Sequence, residues 1–175
     1  FKTSTMAKTQ EVVFLLDGGN GHELKQRGIT DGSFVAGVLA NTMSPSVVQA
    51  VHSDFIHAGC RILTTNSFVA VPSRMMARGD ATSEETANQR AQELIQASIK
   101  CARAAVAAAA DSGQDTTNIR IAGCVPPLTE CYNAGKVPQD TYVMESTYEV
   151  ILSALIHERV DLLLAETLST IREAK

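Results

Sequence analysis

The sequence has no tryptophan, no adjacent Cys-Cys pair, no Cys-x-x-Cys spacing and no cluster of lysine or arginine. The missing basic cluster, with a formal net charge of −4, argues against a nucleic-acid partner or an anionic membrane surface. Long apolar runs are also missing. The longest, 12–16 and 104–110, are far short of the roughly 20 residues that span a bilayer. The five residues before Met6 contain no apolar core of a secretory signal. Residues 1–11 therefore read as an N-terminal extension or tag remnant with Met6 as the native start, and the cytoplasm is the expected location. Without a secretory signal, the four cysteines (Cys60, Cys101, Cys124 and Cys131) do not suggest a disulfide framework. Cys60 and Cys101 read as buried thiols. Cys124 and Cys131 flank a Pro-Pro turn and are too few to hold a zinc ion by themselves.

What is present is an alternation of short apolar runs and helical periodicity. Residues 12–17 (VVFLLD) form a brief run that stops at Gly18-Gly19, the mark of a buried strand. One or two helical turns follow at 22–27, stopped by Gly28. Ser44-Pro45 opens a helix that ends at Gly59. Residues 61–68 (RILTTNSF) are rich in β-branched side chains and read as a second strand. Thr82 and Glu85 have capping-box spacing ahead of a long helix that stops at Gly113. Strands at 119–125 and 161–167 flank a helix centred on Val143–Ala154, and Ser169 opens what reads as the next one. The order β-α-β-α-β-α-β implies a parallel sheet covered on both faces. No domain boundary interrupts it.

In parallel α/β folds, ligands bind beyond the carboxyl ends of the strands. Those ends read Asp17-Gly18-Gly19-Asn20-Gly21-His22, Thr64-Thr65-Asn66-Ser67, Gly123-Cys124-Val125-Pro126-Pro127 and Glu166-Thr167. Polar groups gather there, while the strand bodies stay apolar. Asp17 and Glu166 can hold an ammonium group or a metal, or act as acid and base. Equally, Asp17 can cap a turn and Glu166 can pair with an arginine. Gly18 and Gly19 let backbone N–H groups approach a carboxylate or phosphate. The glycine spacing does not match the dinucleotide fingerprint G-x-G-x-x-G, and the second strand ends without an acid. His52, His57 and His157 read as solvated surface residues, whereas His22 follows the glycine turn near the expected pocket.

Taken together, these segments resemble a known family. LLDGGNGHELKQRG resembles the Asp-Gly-Gly-Met-Gly-Thr-Glu-Leu opening of homocysteine S-methyltransferases. VHSDFIHAGCRILTTNSFVA resembles their helix and Thr-Thr-Asn strand, IAGCVPP their Ala-Gly-Ser-x-Gly-Pro turn, and VDLLLAETLSTIREA their Glu-Thr strand and following helix. The resemblance implies an α/β fold of TIM-barrel type, with 12–175 as the N-terminal half of a homocysteine-binding (β/α)8 barrel truncated after about four βα units. It implies that Asp17 and Glu166 receive the substrate ammonium, that the N–H groups of Gly18 and Gly19 receive its carboxylate, and that Asn66 lines the pocket. It implies homocysteine and a small methyl donor as partners, methionine as product, and zinc as the cofactor that activates sulfur.

This sequence departs from the family pattern at Asn20, His22, Cys124 and Pro126. The family's zinc ligands, a cysteine beyond the sixth strand and a Cys-Cys pair near the last, have no counterpart here. The expectation is a substrate-binding half that is inactive alone, with no catalytic or metal-binding residue of its own. Two alternatives remain. One is a non-catalytic, dimeric amino-acid-binding half-barrel, and the other is a small enzyme with an open Rossmann-like sheet.

Overall fold

The computed structural model describes residues 13–30 and 36–175. The extension at 1–11, Met6 and the first residue of the first expected strand lie outside the described residues.

Helices α1 (Asn20–Gln26), α2 (Ala36–Met43) and α3 (Pro45–His57) precede strand β1 (Ile62–Thr64). Helices α4 (Pro72–Arg78) and α5 (Glu84–Asp111) lead to β2 (Arg120–Val125), and α6 (Thr141–His157) leads to β3 (Leu162–Ala165). The strands pair in parallel in the order β1-β2-β3, with Ile62 opposite Arg120 and Ala122 opposite Leu162. Leu16 adds a parallel bridge to Ile62 on the other side of β1. The sheet is thus laid down in chain order, with helices as crossovers, which agrees with the expected α/β class.

The longest helix, α5, is the spine of the core. Ser83 caps it, accepting from Thr86 N at 3.2 Å while Ser83 N donates to Thr86 Oγ1 at 3.0 Å. The capping box therefore sits one residue later than Thr82 and Glu85 suggested. Threonine replaces the usual glutamate, its short hydroxyl reaching back to the cap. Leu94, Ile95 and Ile99 on α5 are fully buried against Met75, Ile151 and Leu155. Each such side chain contributes roughly 1.5–3 kcal/mol by leaving water. Farther along α5, Ala105 and Ala109 admit Ile56, Leu63 and Ile119. Small residues there let helix and sheet approach.

Where β2 crosses α6 the packing is closer still. A Cβ added at Gly123 would lie 2.9 Å from Leu155 Cδ2 and 3.0 Å from Val160 Cγ2. Gly28, Gly59 and Gly113 stand just past their helices with positive φ, the left-handed turn that stops a helix.

The outer strands differ from expectation. Of the expected strand at 12–17, the described residues 13–17 do not form a regular strand. Pairing is limited to Leu15 O, which accepts from Arg61 N and Ile62 N, and to Asp17 N, which donates to Ile62 O. Val13 is 86% exposed, and Leu162 and Leu163 of β3 are 44% and 50% exposed. Among the described residues β3 has no strand on its outer edge, and these apolar side chains remain partly exposed. Ser169 does not open a helix either. The chain turns there, and the buried Glu173 carboxylate accepts from Ser169 N, Leu128 N and Tyr148 Oη. Side-chain acceptance thus replaces the helical ladder. Beside that carboxylate, burial first and then the charge and hydrogen bond of Glu173 push the Tyr148 hydroxyl pKa far up.

His52 also differs. It is fully buried, and neither ring nitrogen has a hydrogen-bond partner. It falls between Val48 and Ile56 on the stripe of α3 that faces inward, a helical position that comparison with the exposed His57 conceals. Burial lowers its pKa from 6.5 to about 4. The native state then resists a proton that the unfolded chain accepts, so stability falls as pH drops from 6.5 towards 4. That shift corresponds to about 3 kcal/mol. His52→Leu is expected to lose less stability than wild type when urea unfolding is compared at about pH 7.5 and about pH 4.5. An identical acid loss in both proteins would contradict this. Gly123→Ala is expected to cost about 1–3 kcal/mol by overpacking, read as a lower urea midpoint at unchanged slope.

Candidate functional site

The carboxyl ends of the parallel segments open into one cleft of about 540 Å³. Asp17, Gly18, Gly19, Asn66 and Glu166 all line it, so the structure brings the five sequence-predicted site residues together. Asn20 joins them. His22 does not: it is exposed on α1, with Nε2 2.8 Å from Gln26 Nε2. Cys131 and Tyr132 also line the cleft. They come from the loop after β2, which Arg74 ties down by donating to the carbonyls of Pro127 and Thr129. Periodicity carries no signal for such an excursion.

The two carboxylates are held differently. Asp17 is gripped by the end of β1. Thr64 N donates to Oδ2 and Thr64 Oγ1 donates to Oδ1, both at 2.8 Å. Burial raises the Asp17 pKa, and the nearby Glu166 charge adds to the rise; hydrogen bonds from Thr64 and Asn20 oppose it. Glu166 accepts one side-chain hydrogen bond, from Cys124 Sγ at 3.2 Å, and forms no ion pair among the described residues. The turn-capping and arginine-pairing alternatives for this pair therefore do not describe the geometry.

Asn66 does more than line the cleft. Its Nδ2 donates to Gly37 O at 2.8 Å and to Asn41 Oδ1 at 2.9 Å, while Asn41 Nδ2 returns a bond to Asn66 O at 2.8 Å. Both amide hydrogens are engaged in latching α2 against β1, so Asn66 offers a ligand only its Oδ1. Asn20 Nδ2 donates to Thr64 O at 3.0 Å, leaving Asn20 Oδ1 buried without a partner; Thr167 Oγ1, at φ 53°, is in the same state. Unpaired buried polar atoms cost roughly 1–3 kcal/mol each, and these two face a cleft where a ligand could meet them. Gly18 lies close under the Phe55 ring, where an added Cβ would be 3.0 Å from Cε1.

A larger groove of about 1060 Å³ runs along α6 and the terminal residues. Met144, Leu152, Ile156 and Ile171 form its apolar wall, and the acids Glu145 and Glu149 share the groove with Arg172 and Lys175 and with no glycine backbone. Convergent polar chemistry, not size, identifies the site.

The sequence model of the homocysteine S-methyltransferase family matches residues 14–175. The chain belongs to the homocysteine S-methyltransferase family. It is 29% identical over 168 residues to the homocysteine S-methyltransferase of Escherichia coli strain K12, covering 92% of this chain and 52% of that enzyme. Among solved structures it is similar to the homocysteine methyltransferase MmuM from Escherichia coli. Against the metallated form the TM-score is 0.80 at 26% identity, covering 94% of this chain and 57% of that one. Against the oxidized form the TM-score is 0.79 at 26% identity, covering 94% and 56%. The chain thus spans about half the length of the relatives it matches.

The family implies a metal, and the donor set of this cleft does not fit one. No three His, Cys, Asp or Glu side chains converge among the described residues. Burial foremost, then the Glu166 charge and hydrogen bond, raise the Cys124 pKa well above that of an ordinary thiol. Helices long and apolar enough to cross a membrane are absent among the described residues.

The opposing influences on Asp17 give a direct test. Thr64→Val removes one donor and is expected to raise the Asp17 pKa further; Glu166→Gln removes a like charge and is expected to lower it. Carboxyl-carbon NMR titration measures both, and shifts of the same sign in the two variants would contradict the geometry.

Proposed function

We propose that this chain supplies the amino-acid-recognising half of a homocysteine S-methyltransferase, as the N-terminal part of a (β/α)8 barrel. The observation that carries the reading is the convergence of Asp17 and Glu166 on a cleft whose lining, among the described residues, contains no Lys, Arg or His. Such a site attracts a cation and leaves it unopposed. An ammonium group has three N–H donors, and Asp17, Glu166 and Asn66 Oδ1 offer three acceptors. The N–H groups of Gly18 and Gly19 donate to no backbone carbonyl among the described residues, leaving them for the substrate carboxylate. One amino acid satisfies both ends of the cleft.

In this reading the residues hold and orient homocysteine. They do not deprotonate its thiol, which has a pKa of about 8.5 when free. Sulfur activation and the methyl donor belong to groups that these 175 residues do not supply. The free cysteines suit a reducing cytosolic setting. A second reading, a non-catalytic dimer, is favoured by the exposed apolar side chains of β3 and of residues 13–16.

Calorimetric titration with L-homocysteine tests the proposal. Asp17→Asn and Glu166→Gln are each expected to weaken binding by about tenfold or more, equivalent to at least about 1.4 kcal/mol. Undiminished affinity in both variants would sink it. Methionine formation by these 175 residues at the rate of the Escherichia coli relative would refute the assignment of sulfur activation elsewhere. Light scattering separates the second reading, which requires a stable dimer.

A further inference from the structure

We propose that Cys124 is a positioning residue: its thiol, donating to Glu166 Oε2, aims that carboxylate at the substrate ammonium, and Thr65 in turn sets Cys124. The inference rests on the amino-acid reading above.

Two carboxylates must meet one ammonium, yet only one is firmly held. Asp17 has two bonds from Thr64 and the Asn20 amide beside it. Glu166 has a longer side chain and a single side-chain donor, the Cys124 thiol at 3.2 Å. Fixing a free glutamate costs rotamer entropy, a cost moved out of the binding step if the carboxylate is already aimed. The backbone of Glu166 is tied to the same strand end, since Glu166 N donates to Val125 O at 3.1 Å.

The thiol is well placed for this task. Cys124 is buried at the end of β2, and its N–H donates to Thr65 Oγ1 at 2.9 Å. Thr65 Oγ1 is in turn 2.8 Å from Ser67 Oγ. Neighbouring threonines at the end of β1 therefore serve both acids: Thr64, its last residue, grips Asp17 directly, and Thr65, just beyond it, reaches Glu166 through Cys124. Burial and the Glu166 charge keep the sulfur protonated, so it remains a donor. A thiol is a weak donor. It directs one oxygen while leaving the negative charge of the carboxylate for the ammonium.

A cysteine that merely fills space would make Cys124→Ala and Cys124→Ser act through stability alone. A positioning role separates them, because serine keeps a donor. The S–H stretching band of Cys124, assigned by its loss in Cys124→Ala, is expected to shift in Glu166→Gln. An unmoved band overturns the inference whether or not any ligand binds. In calorimetry, Cys124→Ala is expected to weaken L-homocysteine binding by about three- to tenfold, while Cys124→Ser stays within about twofold of wild type. The alanine effect should disappear in a Glu166→Gln background and for 4-sulfanylbutanoate, which has no ammonium. If wild type binds and Cys124→Ala binds equally well, or if its loss persists for 4-sulfanylbutanoate, the inference fails and the amino-acid reading stands. If wild type binds no homocysteine, the amino-acid reading fails and takes the inference with it.

Discussion

The end of β1 is the joint on which the site depends. Through Thr64, one short strand supplies a backbone N–H and a hydroxyl to Asp17 and a carbonyl to Asn20. Through Thr65 it takes the N–H of Cys124, and through Asn66 it latches α2. The strand ends at Thr64, and Thr65 and Asn66 leave it in a bend, so the three side chains reach different neighbours. The glycine turn, the second helix and the end of β2 are consequently located by one segment. The low exposure of Thr64, Thr65 and Asn66 removes water as a competitor for these bonds.

This joint also sets an electrostatic tension. Two carboxylates share a cleft that has no basic lining residue among the described residues, and the Glu166 charge disfavours ionisation of Asp17. For Asp17 the Thr64 and Asn20 bonds offset part of the burial cost. A bound cation would relieve the remainder. In the proposed amino-acid reading that cation is the substrate ammonium, which distinguishes the site from a structural ion pair.

Much of this was legible in the sequence, for a physical reason. Strand ends of a parallel sheet all point one way, so finding where each apolar run stops locates the site without knowledge of the packing. Asp17, Gly18, Gly19, Asn66 and Glu166 followed from that logic together with family resemblance. Other features were hidden because they depend on neighbours distant in sequence. The burial of His52 follows from its register with Val48 and Ile56 against α5. The engaged amide hydrogens of Asn66 depend on Gly37 and Asn41, and Tyr132 reaches the cleft through a loop that Arg74 holds. The irregular pairing of residues 13–17 and the exposure of β3 escaped the strand reading because an apolar run reveals a preference for burial, not whether a cover is present.

The strictly sequential order of the sheet has a consequence for how the chain acquires its structure. None of its strand pairs is a hairpin, and each joins segments separated by at least one whole helix. Closing such intervals costs chain entropy before the sheet returns any hydrogen bonds, a burden that slows folding of non-local topologies. Here α5 bears it for the β1-β2 pair. A 28-residue helix with its own cap can form early and carry β2 back beside β1 as a nearly rigid strut. Assembly can then proceed from the N-terminal side during synthesis, with each new strand docking on the one before it.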